Sequence, residues 1–442
     1  MSAILEHPEA QALLEQATVT PEAVARCGRD LTAFLQRYLP LFYRDEQRDH
    51  AATILRGKLT GLQRKTTEPI ASQAGQKRRP LQHFIGAGRW DDRAVRAELR
   101  THVREELADP QAVLVLDNHG VPKKGEDSCG VARQWCGRLG KVDNCQVGYF
   151  LAYAAARGHA LLDGRLYLPP ERAADPKHRA KTYVPADVAF QEGWRIGLDL
   201  LRSSGREMPH AWVTGDDEFG RASEFRALLR LDHERYVLDV PSNTLVRDLS
   251  SRRPPSRPGG KERLPPFERV QAWAARQPKG RWRKFPLSDG EKGPRAVRAL
   301  QQWVQTKDEG GLVGPRERLV VIRSVEKRPR TWYTLSDARK EVPLAQVVAA
   351  HGARHAVEEL FEEGGQEVGL NHYEVRSWTG WEHHLTLSLL ALWFLQVERL
   401  RLGGKNPTVH RGAGAGDLHG AAAPAPADSA TDRGAGQRGS AA

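Results

Sequence analysis

No apolar run in the 442 residues approaches the roughly 20 consecutive apolar positions that a membrane-spanning helix needs. The longest, residues 385–397, is interrupted by Thr386, Ser388 and Gln396, and it predicts a buried helix. The first fifteen residues carry Glu6, Glu9 and Glu15 and lack the basic start and apolar centre of a secretion signal. The expected compartment is the cytoplasm, with no membrane partner. Cysteine is scarce. Cys27, Cys129, Cys136 and Cys145 form no Cys-x-x-Cys pair, which argues against a zinc site and for reduced thiols. His83, His372, His383 and His384 lack metal-ligand spacing with carboxylates and read as structural. No internal repeat is visible. Beyond residue 403 large apolar side chains almost vanish, so 403–442 cannot offset the cost of ordering and is expected to be a disordered low-complexity tail.

Positive charge is what the chain has in excess. Lys and Arg number 67 against 55 Asp and Glu, a formal charge of +12. The balance favours a polyanionic partner, nucleic acid before a membrane surface. A mean hydropathy of −0.58 fits a soluble globular protein. The length suggests two or three domains, at roughly 100–200 residues each.

Residues 1–108 read as mostly helical. Thr20-Pro21-Glu22 is a helix start, and Leu31, Phe34, Leu35, Tyr38 and Leu39 recur at helical spacing behind it. Residues 45–62 continue as helix. Lys77-Arg78-Arg79-Pro80 opens a basic connection, and Trp90-Asp91-Asp92 precedes a helix through Val95, Leu99 and Val103. Two readings stay open for this region, a DNA-binding helical domain and a plain helical domain with solvated arginines. After Pro110 the pattern changes. Val113 to Leu116 is a short apolar run predicting a buried strand, and further strands are expected over 145–156, 161–168, 211–214 and 236–240, with helices over 187–202 and 224–231. Residues 249–292 are irregular, rich in Pro, Gly and Arg. Residues 319–323 and 331–335 form a predicted hairpin, and helix returns over 343–363 and 381–400.

Two acids sit at strand ends, Asp117 and Asp216, and a third, Glu358, on a predicted helix. Gathered together, such carboxylates supply hard oxygen ligands for Mg²⁺ or Mn²⁺ and so for phosphodiester cleavage. Strand-end acids are also common turn residues, and position alone does not separate the two readings.

The flanking residues do. Val115-Leu116-Asp117-Asn118-His119-Gly120-Val121-Pro122-Lys123-Lys124-Gly125 leads into Gly130-Val131-Ala132-Arg133-Gln134-Trp135-Cys136-Gly137 and Asn144-Cys145-Gln146-Val147-Gly148. A second block is Val213-Thr214-Gly215-Asp216-Asp217-Glu218-Phe219-Gly220. A third is Arg354-His355-Ala356-Val357-Glu358-Glu359-Leu360-Phe361. In this order, over roughly residues 25–402, they resemble DDE-type insertion-sequence transposases. That family's patterns are Asp-(Asp/Glu)-Thr-Gly-x-x-Lys-Lys-Gly, Asp-x-x-(Tyr/Phe)-Gly and Tyr-x2-Arg-x3-Glu-x6-Lys. The resemblance implies an α/β fold: a ribonuclease-H-like catalytic core over 109–402, with a β-containing insertion at about 221–343, preceded by the helical domain. It implies that Asp117, Asp216 and Glu358 are the catalytic, metal-binding triad for Mg²⁺, with Mn²⁺ as a substitute. It implies a DNA transposase that binds terminal inverted repeats, hydrolyses the ends and joins the 3′-OH strands to target DNA, as a homodimer at paired ends, near the nucleoid. Asp217, Glu218 and Glu359 rank below the triad, because adjacent side chains point in different directions. The sequence departs from the family at Asn118 and His119, at His351 (the signature's Tyr) and at Gly365 (its Lys). These departures keep open a decayed, non-catalytic DNA binder. A structure-specific nuclease on the same core is the other alternative.

Candidate DNA contacts are Lys77, Arg78, Arg79, Lys123, Lys124, Arg281, Trp282 and Arg283, with His351 and Arg354 from the third block. Further basic clusters are Arg252-Arg253 and residues 327–330. Arg281-Trp282-Arg283 interleaves an aromatic with two cations, a pattern suited to stacking an unpaired base. Each cluster also reads as solvated charge. Trp378 and Trp381 read as core.

Overall fold

In the computed structural model, which describes residues 21–250, 264–290, 293–308, 310–326 and 328–402, five helices precede the first strand. They are α1 (Pro21–Tyr38), α2 (Asp45–Lys58), α3 (Thr67–Gln73), α4 (Arg78–Gly86) and α5 (Asp92–Leu107). Leu31, Phe34, Leu35 and Tyr38 form the buried face of α1, as their spacing predicts. Asp91 caps α5, its carboxylate accepting from the backbone N–H groups of Arg93 and Ala94 at 3.0 Å. Residues 78–80, expected as a connection, form the first turn of α4, where Pro80 needs no N–H partner.

The sheet begins with β1 (Val113–Pro122), β2 (Ala132–Cys136), β3 (Lys141–Ala155) and β4 (Gly158–Leu166). Helices α6 (Pro170–Ala174), α7 (Pro176–Thr182) and α8 (Gly193–Leu200) lead to β5 (Trp212–Gly215). Then come α9 (Asp217–Arg221), α10 (Ser223–Leu231) and β6 (Tyr236–Asp239). The next stretch holds β7 (Leu245–Asp248), β8 (Glu268–Arg269), α11 (Val270–Ala275), β9 (Arg283–Gly290), β10 (Gly293–Lys307), β11 (Val313–Ser324) and β12 (Thr331–Ser336). Helices α12 (Leu344–Gly352), α13 (His355–Gln366) and α14 (Trp378–Arg401) follow.

Among the described residues all twelve strands join one sheet, in the order β2-β3-β1-β5-β6-β12-β11-β10-β7-β8, with β4 on β3 and β9 on β10. β3 runs antiparallel to β1 and β4, whereas β1, β5 and β6 are mutually parallel. The expected α/β class is thus observed, with its large mixed sheet. The stretch expected to hold the β insertion, about 221–343, opens with α10 and β6. Its added strands run from Leu245 to Ser336 and extend the same sheet, because β12 pairs with β6. Val246, Trp273, Leu300, Val304 and Leu319 give that extension an apolar cluster of its own.

α14 explains how the helices and the sheet hold together. Leu385, Leu387, Leu389, Leu390, Leu392, Trp393 and Phe394 make it apolar on every side. Such a helix must be covered all round. It lies against β4 on one side and against α2, α4 and α5 on the other, so both halves share one apolar core. No helix among the described residues is long and apolar enough to cross a membrane. The expected tail, Arg252-Arg253 and Lys327 lie outside the described residues.

Candidate active site

Strand register decides which side chains meet. Leu116 of β1 lies beside Gly215 of β5, and Gly215 beside Leu238 of β6. The next residue on each parallel strand is an aspartate, so Asp117, Asp216 and Asp239 stand in a row across three strands, spaced by about 4.8 Å per strand. The carboxyl ends of parallel strands are where α/β sheets hold their ligands. Asp117 is fixed by the N–H of Asn118 at 2.8 Å, and Asp216 by the N–H of Glu218 at 3.0 Å, at the start of α9. Glu358 arrives from α13, which packs on β1, β3 and β4. Asp117, Asp216 and Glu358 line one open cleft of about 1220 Å³.

The row carries more negative than positive charge. Its cation, the half-buried Arg354, bonds to Asp239, and His351 Nε2 meets the other Asp239 oxygen at 3.0 Å. Burial would raise Asp239, but His351 and Arg354 hold it below the usual carboxylate range. Asp117 and Asp216 have no such clamp. Burial pushes Asp117 up to about 7, against the pull of Arg354 and with the push of Asp216. Burial raises Asp216 as well. Glu358 is lowered, first by its hydrogen bond with His355 Nδ1 at 3.3 Å. Adjoining carboxylates with oxygen donors alone and too little countercharge suit a hard divalent cation. Among the described residues no three His, Cys, Asp or Glu side chains are gathered as a finished metal cage.

Residues 37–294 match the family described as DDE superfamily endonuclease, over more than half of the chain. The chain belongs to that family. The resemblance to DDE-type insertion-sequence transposases therefore holds. A probable transposase for insertion sequence element IS701 from Microchaete diplosiphon is 26% identical over 245 residues, which cover 52% of this chain and 64% of that protein. Asp117 and Asp216 fall inside the family match and Glu358 beyond it. Endonucleases of the DDE superfamily use divalent metal ions and act on DNA.

Around the acids the wall is polar and tightly tied. Glu218 accepts from the Tyr149 hydroxyl and from Asn118 Nδ2, the latter at 2.9 Å, and burial raises its carboxyl. His119 stacks on Phe361 with ring centroids 4.6 Å apart and meets Asn371 Oδ1 at 2.7 Å. A Cβ at Gly365 would collide with Asn371 Nδ2. Two departures from the DDE pattern, His119 and Gly365, are therefore coupled through Asn371.

The ten predicted DNA contacts lie elsewhere than on this wall. Lys77, Arg78 and Arg79 are exposed at the start of α4, with Arg78 paired to Glu68 at 2.9 Å. Lys124 and Arg283 are exposed. Lys123 donates to the Tyr373 carbonyl at 2.6 Å over the Tyr373 ring, and burial pulls its ammonium down to about 8. Arg281 donates to the Gln301 carbonyl at 2.8 Å and to Gln302 Oε1 at 2.7 Å. The Trp282 ring is covered by Arg323 at 4.4 Å. His351 and Arg354 are engaged with Asp239. The cations that do line the cleft are Arg138 and Arg221. Sequence reasoning missed them, and it missed Asp239. Asp239 had a signal, since it closes the apolar run Tyr236-Val237-Leu238 as Asp117 closes its own.

Proposed function

We propose that this chain is a DNA transposase that binds the terminal inverted repeats of its element, hydrolyses the phosphodiester at each end and transfers the freed 3′-OH strand to target DNA. The observation that carries this reading is the pair Asp117 and Asp216, half-buried at the ends of adjacent parallel strands, with raised carboxyls, lining one open cleft with Glu358. The strand order β4-β3-β1-β5-β6, with β3 alone running against the other four, supports a ribonuclease-H-like core.

Asp117 and Asp216 would hold two Mg²⁺ or Mn²⁺ ions, and Glu358 would complete one of the two sites. Bound there, such ions polarise a phosphate and acidify water. Asp239 takes the direct contacts of Arg354 and His351, so Arg354 offsets the charge of the pair only in part. Hydrolysis leaves a 3′-OH, which then serves as nucleophile toward target DNA, so no covalent protein–DNA link forms. Residues 109–402 are assigned as the catalytic domain. The helices before residue 108, with exposed Lys77, Arg78 and Arg79, are assigned to holding the duplex, and two copies to pairing the ends near the nucleoid.

The test is cleavage of a labelled terminal-repeat duplex by the purified full chain with Mn²⁺. Wild type is expected to cut and join, and Asp216→Asn to do neither. A second reading, a non-catalytic DNA binder, is favoured by Gly365 in place of the signature lysine. Salt-sensitive binding without metal-dependent cleavage selects it. Equal cutting of DNA without the repeats, and no joining, selects a structure-specific nuclease.

A further inference from the structure

Trp135 on β2 is unlike the other tryptophans. Of eleven in the chain, ten are buried or half-buried, whereas Trp135 is 59% exposed. Its ring has no stacking partner and its N–H no acceptor among the described residues. Its cross-strand neighbour Val142 and the turn residue Leu139 are exposed too. An indole offers one of the largest apolar gains on burial, so a bare one beside a cleft marks a contact to be made.

Register places this hairpin over the acids. β5 pairs with β1 only as far as Leu116, while β1 and β3 run on together to Pro122 and Cys145. β2 then pairs with the far end of β3, from Cys145 to Lys141. The β2–β3 hairpin thus rises past the level of Asp117. Trp135 and Arg138 line the same cleft as Asp117, Asp216 and Glu358. Arg133, two residues before Trp135 on the same face of β2, and Arg138, in the turn after it, are exposed, while Lys141 is paired with Asp143 at 2.9 Å.

A bare aromatic face between two arginines fits a nucleobase, with the cations on neighbouring phosphates. Both faces of a base inside a duplex are already stacked, so only an unpaired or terminal base can use the ring. A two-fold contact with a second copy would set arginines near arginines, which charge disfavours. Trp282, the other candidate platform, is covered by Arg323. We propose that Trp135 is the stacking platform for an unpaired base of the strand at the cleavage point, with Arg133 and Arg138 holding the adjoining phosphates. This rests on the nuclease reading above and names a contact within that site.

The test uses the full chain with two probes, a blunt duplex and the same duplex bearing a 3′ overhang of thymidine and 2-aminopurine. The overhang is expected to bind about 10-fold more tightly at fixed salt, with quenched 2-aminopurine emission. Trp135→Ala is expected to erase that ratio and the quench, and Trp135→Phe to keep most of both. A ratio in Trp135→Ala equal to wild type overturns the proposal. A shift from dimer to monomer in Trp135→Ala, with the ratio intact, also overturns it and assigns the patch to a second copy. Wild-type cleavage with an unaltered Trp135→Ala ratio defeats the stacking role alone, whereas no DNA binding by wild type defeats both readings.

Discussion

Two regions of the molecule bury several carboxylates, and they balance them differently. Between α5, β4 and α14, Asp92, Asp163 and Glu382 face Arg96, Arg100 and Arg165, with Arg96 at 2.7 Å from Glu382 and Arg165 at 3.0 Å from Asp163. Burial would raise Asp163, yet Arg96 and Arg165 bring it below its ordinary range. Burial raises Glu382 there. Beside the cleft Arg354 serves Asp239 first, and Asp117 and Asp216 go short. The first region is an internal ion network that ties helices to the sheet. The second keeps a charge deficit in place, at a cost in stability, as a site for a cation from outside.

The largest expected effect that sharpens this contrast is on activity. Asp216→Asn should lower Mn²⁺-dependent cleavage by about 10³-fold or more, since it removes a group on which the chemistry depends. The melting temperature should stay level or rise, because Asn still caps α9 and a poorly compensated charge is gone. Asp163→Asn should do the reverse in folding terms and lose about 3 kcal/mol in denaturant titration, because the buried Arg96, with Arg100 and Arg165, loses a buried carboxylate. A stable Asp163→Asn protein would break the comparison.

The third expectation is an opposite pH dependence. The folded Asp117 titrates at about 7 against 3.8 unperturbed, so the stability it contributes is full below 3.8 and is lost as pH rises toward 7. Thermal melts of metal-free protein should show that decline, flattened in Asp117→Asn. Asp163, lowered in the fold, contributes stability that is present above 3.8 and is lost on acidification. The smallest effect is at Asp239. Asp239→Asn releases Arg354 toward the acidic pair and should raise the Mn²⁺ concentration for half-maximal cleavage by about 10-fold.

The parts of this molecule that were legible in the sequence are those with local patterns. β1, β5 and β6 are apolar runs closed by turn residues, and the three blocks of motif pointed to Asp117, Asp216 and Glu358. What was not legible depends on distant partners. β9 and β10 lie in or beside a Pro-, Gly- and Arg-rich stretch read as irregular, and their order comes from pairing with each other and with β7 and β11. The helix expected over 343–363 divides between Gly352 and His355, where Arg354 reaches Asp239. Trp282 sits in a basic run that suggested an open ring, but Arg323 of β11, two strands away, covers it. Trp135 had no such run to mark it, and its exposure follows from a short edge hairpin.

The most direct measurement is Mn²⁺ binding itself, followed by electron paramagnetic resonance on purified protein without DNA, above the pH at which Asp117 ionises. Wild type should take up Mn²⁺ saturably, Asp163→Asn should match it, and Asp216→Asn should lose that binding. Equal Mn²⁺ uptake by wild type and Asp216→Asn, or none by either, would contradict the account.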